Sequence, residues 1–396
     1  MRRPFPAEGV PPVKIARRMQ VIQPFHVMAL LARARELEAA GRSIIHMEIG
    51  EPDFVTPQPV IDAGHAALTA GFTHYTPATG LPELRRRIAD FYHTRYGIEV
   101  DPARIVVTPG ASAALQLVLA ALVDPGERVL LADPGYPCNR NFVHLLGGEP
   151  VSLPVDAASN YQPGVRQVRE AWDARTAALL VASPSNPTGS LLDAGTLREY
   201  LAIAEAGGGG LIVDEIYHGL VYDDEAVTAL AVSDEIIVIN SFSKYFGMTG
   251  WRLGWLVAPR PLVPELDKLA QNLFLAAPTL SQHAALHAFA PDTLAILEQR
   301  RAEFRQRRDY LLPALRELGF DIPVTPAGAF YLYADCSRFT SDSQAFSQQL
   351  LEEAGVAITP GIDFGSHRPE SHVRFAYTTS LENLQEGVRR LREHLL

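Results

Sequence analysis

Along the middle of the chain, short wholly apolar runs alternate with stretches whose apolar residues recur at helical spacing. Ile105-Val106-Val107 precedes a helical pattern from Ala111, Arg128 to Leu131 precedes one from about Asn139, and Ala178 to Val181 precedes one from about Asp193. Leu211-Ile212-Val213 leads into a turn and loop, and Ile236 to Ile239 and Leu253 to Val257 complete the series. Strands with one wet face alternate apolar and polar residues, whereas strands covered on both faces read as continuous apolar runs. The pattern therefore predicts an α/β fold, a mostly parallel sheet flanked by helices. The last third reads differently. A charged helix from about Leu294 to Leu318 leads to short strands near Phe330 to Tyr333 and Val373 to Phe375, with helices from about Ser343 and Ser380. These predict a smaller α+β domain, joined by an N-terminal helix of about Phe25 to Ala40. Residues 50–290 are expected to form the large domain, and 1–49 with 291–396 the small one.

A chain of 396 residues has room for two such cores. Its net charge of −10 argues against a nucleic-acid footprint, which needs a basic face. The longest apolar stretch, Ala111 to Val123, is broken by Ser112 and Gln116 and ends at Asp124-Pro125-Gly126. It falls short of the roughly 18 residues of a membrane span and reads as a buried helix. Met1-Arg2-Arg3-Pro4-Phe5-Pro6 has arginines but no apolar run behind them, so no signal peptide is expected. Cys138 and Cys336 stand far apart without C-x-x-C spacing, which gives neither a disulfide framework nor a zinc site and makes the cytoplasm the expected compartment. His283 and His287 have i, i+4 spacing but no third ligand, and a satisfied helix face is the expectation. His218 is expected to be packed, and Asp223-Asp224-Glu225 to form a solvated turn.

The cations are written almost wholly as arginine; the lysines are Lys14, Lys244 and Lys268. A guanidinium stays protonated, whereas a lysine amine can lose its proton in a dry pocket and attack a carbonyl. Lys244 lies among hydroxyls, glycines and an arginine, in Ser241-Phe242-Ser243-Lys244-Tyr245-Phe246-Gly247-Met248-Thr249-Gly250-Trp251-Arg252. A leftover surface charge is the alternative.

Ligand sites of open parallel sheets gather at the C-terminal ends of strands. Gly110-Ala111-Ser112 follows one predicted strand and opens a helix, whose free N–H groups suit an anion such as phosphate. Ser183 to Gly189 follows another, with Asn186; Asp214-Glu215-Ile216-Tyr217 follows a third; Ser241 to Lys244 follows a fourth. Each segment alone reads equally well as turn chemistry. Together they supply an amine for an aldehyde, a carboxylate for a pyridine nitrogen, a phenol and an amide for a ring oxygen, and a phosphate cradle. Pyridoxal 5'-phosphate needs that set.

The chain resembles the class I/II aminotransferases, the aspartate-aminotransferase-like enzymes of the fold-type-I pyridoxal phosphate superfamily, from about Phe25 to its end. The motifs that carry the likeness are S-F-S-K-Y-F-G-M-T-G-W-R-L-G-W, G-E-P-D-F at Gly50, Y-T-P-A-T-G at Tyr75, P-S-N-P-T-G at Pro184, V-D-E-I-Y at Val213, P-A-G-A-F-Y at Pro326, P-G-I-D-F-G at Pro360 and V-R-F-A-Y at Val373. The resemblance implies an aminotransferase that moves an amino group between an L-amino acid and a 2-oxo acid by a ping-pong mechanism. Lys244 is implied as the amine that condenses with the cofactor and then as general base at substrate Cα. Asp214 is implied as partner of the ring nitrogen, Tyr217 and Asn186 of the ring oxygen, and Tyr136 of the ring face. Ala111, Ser112, Ser241 and Arg252 are implied phosphate ligands, with Tyr75 reaching in from a second subunit of a homodimer. Arg374 is implied to clamp the substrate carboxylate, helped by Asn186 and the backbone of Gly50. Some aspartate-using relatives carry a lysine after the phosphate-loop glycine, where this chain has Gly110-Ala111-Ser112-Ala113; unless Arg140 or Arg17 substitutes, a broader or neutral donor is expected, with 2-oxoglutarate or pyruvate as acceptor. Two alternatives stand beside this: β-elimination by a carbon–sulfur lyase of the same fold, and an effector-sensing domain of a transcription regulator. The second is disfavoured by acidity and by the few residues ahead of the Phe25 helix.

Overall fold

The computed structural model describes residues 13–223 and 226–396. Residues 1–12, assigned above to the small domain and read for a signal peptide, and Asp224 and Glu225 of the expected turn lie outside these. The strands are β1 (Ile45–His46), β2 (Ile105–Thr108), β3 (Arg128–Asp133), β4 (Glu149–Pro154), β5 (Thr176–Ala182), β6 (Gly210–Asp214), β7 (Ile237–Ser241), β8 (Gly254–Val257), β9 (Tyr331–Asp335), β10 (Val356–Ala357), β11 (Thr359–Pro360) and β12 (His372–Ala376).

The central sheet has the order β2-β8-β7-β6-β5-β3-β4. Its apolar runs are buried on both faces, as their lack of alternation requires: β5 sends Leu179 and Val181 into one core and Ala178 and Leu180 into the other. The sheet is mostly parallel, but β8 runs antiparallel to both β7 and β2. The connection from Phe242 to Leu253 carries only a short 3-10 turn, too little to cross the sheet, so the chain returns beside the strand it has just left. Strand β4 is absent from the expectation. It is an edge strand in which Leu153 alone is buried, and Pro150 and Pro154 are tolerated because its outer edge is unpaired.

A second sheet, β11-β12-β9, is antiparallel, and β1 pairs with β10, which ties the N-terminal segment to the C-terminal part. The helix Pro291–Leu318 spans between these regions. Its Arg307, 2% exposed, donates to both oxygens of Asp53 at 2.8 and 3.0 Å, with its guanidinium 4.9 Å from the Phe54 ring centroid. The last two residues of G-E-P-D-F thus moor the segment that carries Gly50. Asp223, exposed at a bend in keeping with the expected turn, also pairs with Arg305 and Arg308. His283 stacks on Phe72, and among the described residues no group of side chains could hold a metal ion. His218 is packed as expected, 3.2 Å from the Tyr96 hydroxyl. Both cysteines are free, and among the described residues no helix is long and apolar enough to cross a membrane.

Beneath the sheet's active rim, buried Glu215 accepts from the Ala229 N–H at 2.6 Å and from Thr228 Oγ1 at 2.9 Å. Burial pushes its carboxyl up to about 8 from an ordinary 4.5. The folded chain then holds a proton that the unfolded chain has released, so this residue's contribution to stability falls as pH rises from about 4.5 to about 8. Glu215→Gln keeps the shape without the proton linkage. Its stability relative to the natural protein is expected to rise with pH over that range, by at most about 1.4 kcal/mol per pH unit. Neighbouring His218, which burial pushes down to about 3, contributes the opposite slope in both proteins and drops out of the comparison. Urea unfolding of both proteins at pH 5.5 and pH 8 checks this; a difference that does not change with pH contradicts it.

Candidate active site

Because β8 alone is reversed, the C-terminal ends of β2, β5, β6 and β7 and the start of β8 meet at one rim. A cavity of about 380 Å³ opens there, lined by Tyr136, Asn186, Asp214, Tyr217, Lys244, Arg252 and Arg374 among others. Seven residues expected to work together thus converge from segments spread over most of the chain.

Lys244 Nζ donates to the Gly50 carbonyl at 2.6 Å and lies over the Tyr217 and Phe330 rings. Burial pushes its amine down to about 8; Arg374 and Arg252 press it the same way, against Glu51 and Asp214. Asp214 ends β6, and burial raises its carboxyl to about 7, opposed by the Ile216 N–H at 3.1 Å and by Lys244. The Tyr217 hydroxyl meets that of Tyr331 at 2.8 Å. The Tyr331 hydroxyl also fills the space a Cβ on residue 50 would need, so glycine is required there.

Arg374 is no surface residue. It is 3% exposed on β12, donating through Nη1 to Asn186 Oδ1 at 2.9 Å and through Nη2 to the Glu48 carbonyl at 2.7 Å. Its guanidinium lies 4.1 Å from the Tyr331 ring centroid and 4.8 Å from that of Phe364, and its buried Nε has no partner. A buried donor left in this state is open to an incoming acceptor.

At the other end of the cavity the helix Ala111–Leu122 begins at Gly110, φ +82°, with no side-chain cap. Arg252, itself held at φ +50°, donates to the Thr249 carbonyl at 2.9 Å and lies so close that a Cβ on Gly110 would stand 2.6 Å from Nη2. A bulky residue in the left-handed region is strained, and such strain gathers at functional sites. Ala111, Ser112 and Ser241 do not line the cavity itself. Ala111 and Ser112 form the first turn of that helix, and Ser241 ends β7 with Oγ accepting from the Ser243 N–H at 3.0 Å. Tyr75 is 83% exposed and outside this chain's cavity. Arg140 donates to the Asp363 carbonyl at 3.3 Å and Arg17 sits in an exposed 3-10 turn; neither lines the cavity.

Several lining residues escaped the sequence reading. Glu51, Thr249, Tyr331, Val27 and Met28 all face the cavity, and Thr249 Oγ1 donates to Glu51 Oε1 at 2.6 Å. Glu51, Thr249 and Tyr331 lie inside motifs already singled out, and that is the signal that pointed nearest to them.

A mostly parallel sheet with a buried amine, carboxylate, phenol and two arginines at one rim defines an enzyme of the fold-type-I kind. The profile of the family "Aminotransferase class I and II" matches residues 42–391, and the chain belongs to that family. A (5-formylfuran-3-yl)methyl phosphate transaminase of Methanocaldococcus jannaschii is 38% identical, over 96% of this chain and 99% of its own. A valine–pyruvate aminotransferase of Mycobacterium tuberculosis is 41% identical, over 93% of this chain and 96% of its own. The crystal structure of an aminotransferase from Mycobacterium tuberculosis superposes with a TM-score of 0.93 at 40% identity, covering 97% of this chain and 99% of that one. The chain is an aminotransferase, from a family whose members use pyridoxal phosphate.

Proposed function

We propose that this chain holds pyridoxal 5'-phosphate at the β-sheet rim and transfers amino groups from neutral, apolar amino acids to a 2-oxo acid. The observation that carries the reading is the buried Lys244 amine, donating to the Gly50 carbonyl in the cavity that Asp214 and Arg374 also line. The donor set suits the cofactor. An uncapped helix start with Arg252 against Gly110 suits a phosphate. A buried carboxyl at the end of β6 suits a pyridine nitrogen.

When bound, the cofactor supplies an aldehyde to carry the amino group and a ring that takes up the electron pair released at Cα. The chain's residues do the rest. Lys244 would hold the aldehyde and would then accept and return the proton at substrate Cα. Asp214 would keep the ring nitrogen protonated, Tyr217 and Asn186 would hydrogen-bond the ring oxygen, and Tyr136 would cover the ring face. Ala111, Ser112, Ser241 and Arg252 hold the phosphate. Arg374, with Asn186 and the Gly50 backbone, orients the substrate carboxylate so that the Cα proton faces the amine. We read residues 50–290 as the cofactor domain and 1–49 with 291–396 as the smaller one, supported by the pairing of β1 with β10. The unpaired cysteines are in keeping with a cytoplasmic enzyme.

Neutral donors are favoured because the cations lining the cavity, Lys244, Arg252 and Arg374, all have other work, Glu51 would repel a donor's second carboxylate, and Phe25, Val27, Met28 and Ile49 give the wall an apolar stretch. The experiment is an absorbance spectrum of the cofactor-loaded protein before and after single amino acids. Loss of the near-ultraviolet band with valine, leucine or alanine, and far less with aspartate, is expected. A protein that binds no cofactor, or a band that persists while pyruvate leaves a cysteine conjugate, overturns it, the latter in favour of elimination.

A homodimer with Tyr75 donated across the interface completes the reading; Tyr75 and the nearby Leu68 and Phe72 are exposed in the single chain. Neither Tyr75→Ala nor Lys244→Ala subunits should work well alone. Mixed by unfolding and refolding, they are expected to regain about a quarter of the natural activity per chain, since half the dimers are hybrids with one intact site each. No recovery in a mixture shown to contain hybrids counts against Tyr75 crossing over.

A further inference from the structure

The helix His26–Ala39 begins without a local cap. Phe25 at its N-cap makes no side-chain bond, and Pro24 before it offers none, yet the first N–H groups of a helix need acceptors. The acceptor comes from 337 positions away. Asp363 Oδ1 accepts from the His26 N–H at 2.8 Å and Oδ2 from the Val27 N–H at 2.8 Å. This carboxylate is 4% exposed. The loop that carries it is itself fastened: the Gly135 N–H donates to the Phe364 carbonyl at 2.8 Å, and buried Asp133 accepts from the Ser366 N–H at 2.9 Å and its hydroxyl at 2.8 Å. The next residue, Phe364, is one of the two rings under Arg374.

One loop is therefore the reference for two things. Through Phe364 it supports the guanidinium that takes the substrate carboxylate, and through Asp363 it fixes the turn from which Phe25, Val27 and Met28 enter the cavity. We propose that Asp363 is a positioning residue for substrate selection, whose carboxylate fastens the first turn of the His26–Ala39 helix and so sets the apolar wall against the donor side chain. The proposal rests on the transamination reading above. Anchor and wall are held at a fixed separation, so the loop acts as a gauge of side-chain length. Alanine, whose methyl group does not extend to the wall, gains little from it; leucine gains most.

Two substitutions in the cofactor-loaded enzyme test this. Asp363→Asn replaces one acceptor with an amide NH₂ that faces a backbone N–H. His26→Pro removes a single donor and leaves Asp363 untouched; proline suits the first helical position, and Phe25 at φ −85° and ψ 107° is already extended, as a residue before proline prefers. Amide hydrogen exchange over residues 25–30 is expected to quicken in both variants by at least about tenfold. The ratio of kcat/KM for leucine over alanine should fall about tenfold, mainly through KM for leucine, with alanine turnover far less affected. Unchanged exchange, a kept ratio, or equal losses for both donors overturns the proposal. A natural enzyme whose absorbance band answers no amino acid overturns the transamination reading and the selection proposal together, whereas unchanged exchange removes the second alone.

Discussion

Lys244→Arg is expected to lose at least about 10³-fold in kcat while still folding and binding the cofactor. The Lys244 amine is pushed down to about 8 by burial and by two arginines, so an appreciable part is neutral near neutral pH and able to accept a proton. A guanidinium in its place keeps the charge and reaches the same region, but cannot give up its proton at any working pH. Of the other groups lining the cavity, Asp214 is committed to the ring nitrogen in this reading, Glu51 is engaged by the Thr249 hydroxyl, and the Tyr217 hydroxyl, pushed well up by burial, stays protonated. Stopped-flow absorbance of the half-reaction with the preferred donor is the measurement. A variant within tenfold of the natural rate would mean that another group moves the proton.

Arg374→Lys should lower kcat/KM by about 10² to 10³-fold, a loss of roughly 3–4 kcal/mol, most of it in KM. A lysine keeps one charge but gives up the planar pair of donors that matches a carboxylate. It also strands acceptors that Arg374 now satisfies, Asn186 Oδ1 and the Glu48 carbonyl, in a buried setting. The spectrum of the cofactor without substrate should be unaltered. Steady-state kinetics over a wide donor range decides: an unchanged KM with a collapsed kcat would move Arg374 from substrate binding to the chemistry itself.

The sheet was largely legible because strands buried on both faces leave unbroken apolar runs, and six of the seven could be read that way from Ile105, Arg128, Ala178, Leu211, Ile236 and Leu253 onward. The run at Leu253 was legible as a strand but not as the reversed one, since direction depends on what the Phe242–Leu253 connection can cross. Strand β4 was illegible, because Pro150, Ser152 and Pro154 look like a loop until β3 is there to pair with. At the site, residues fixed to strand ends came out of the sequence together. Tyr331, Phe364 and Glu51 did not, since their approach depends on how the second sheet packs against the first. Asp363 was hidden for a plainer reason: a cap supplied from the far end of the chain leaves no local mark at the helix it caps.

The reversed strand has a consequence for turnover. Lys244 and Arg252 lie on a single connection between neighbouring strands of the rigid central sheet, whereas Arg374 belongs to the separate three-stranded sheet. Amine and guanidinium therefore share one frame, and their spacing does not depend on the second sheet. A ping-pong enzyme must release its first product and admit a second reactant without losing the group that carries nitrogen between them. Dividing the moorings between two sheets separates the two tasks, so retention and exchange can be tuned by separate substitutions.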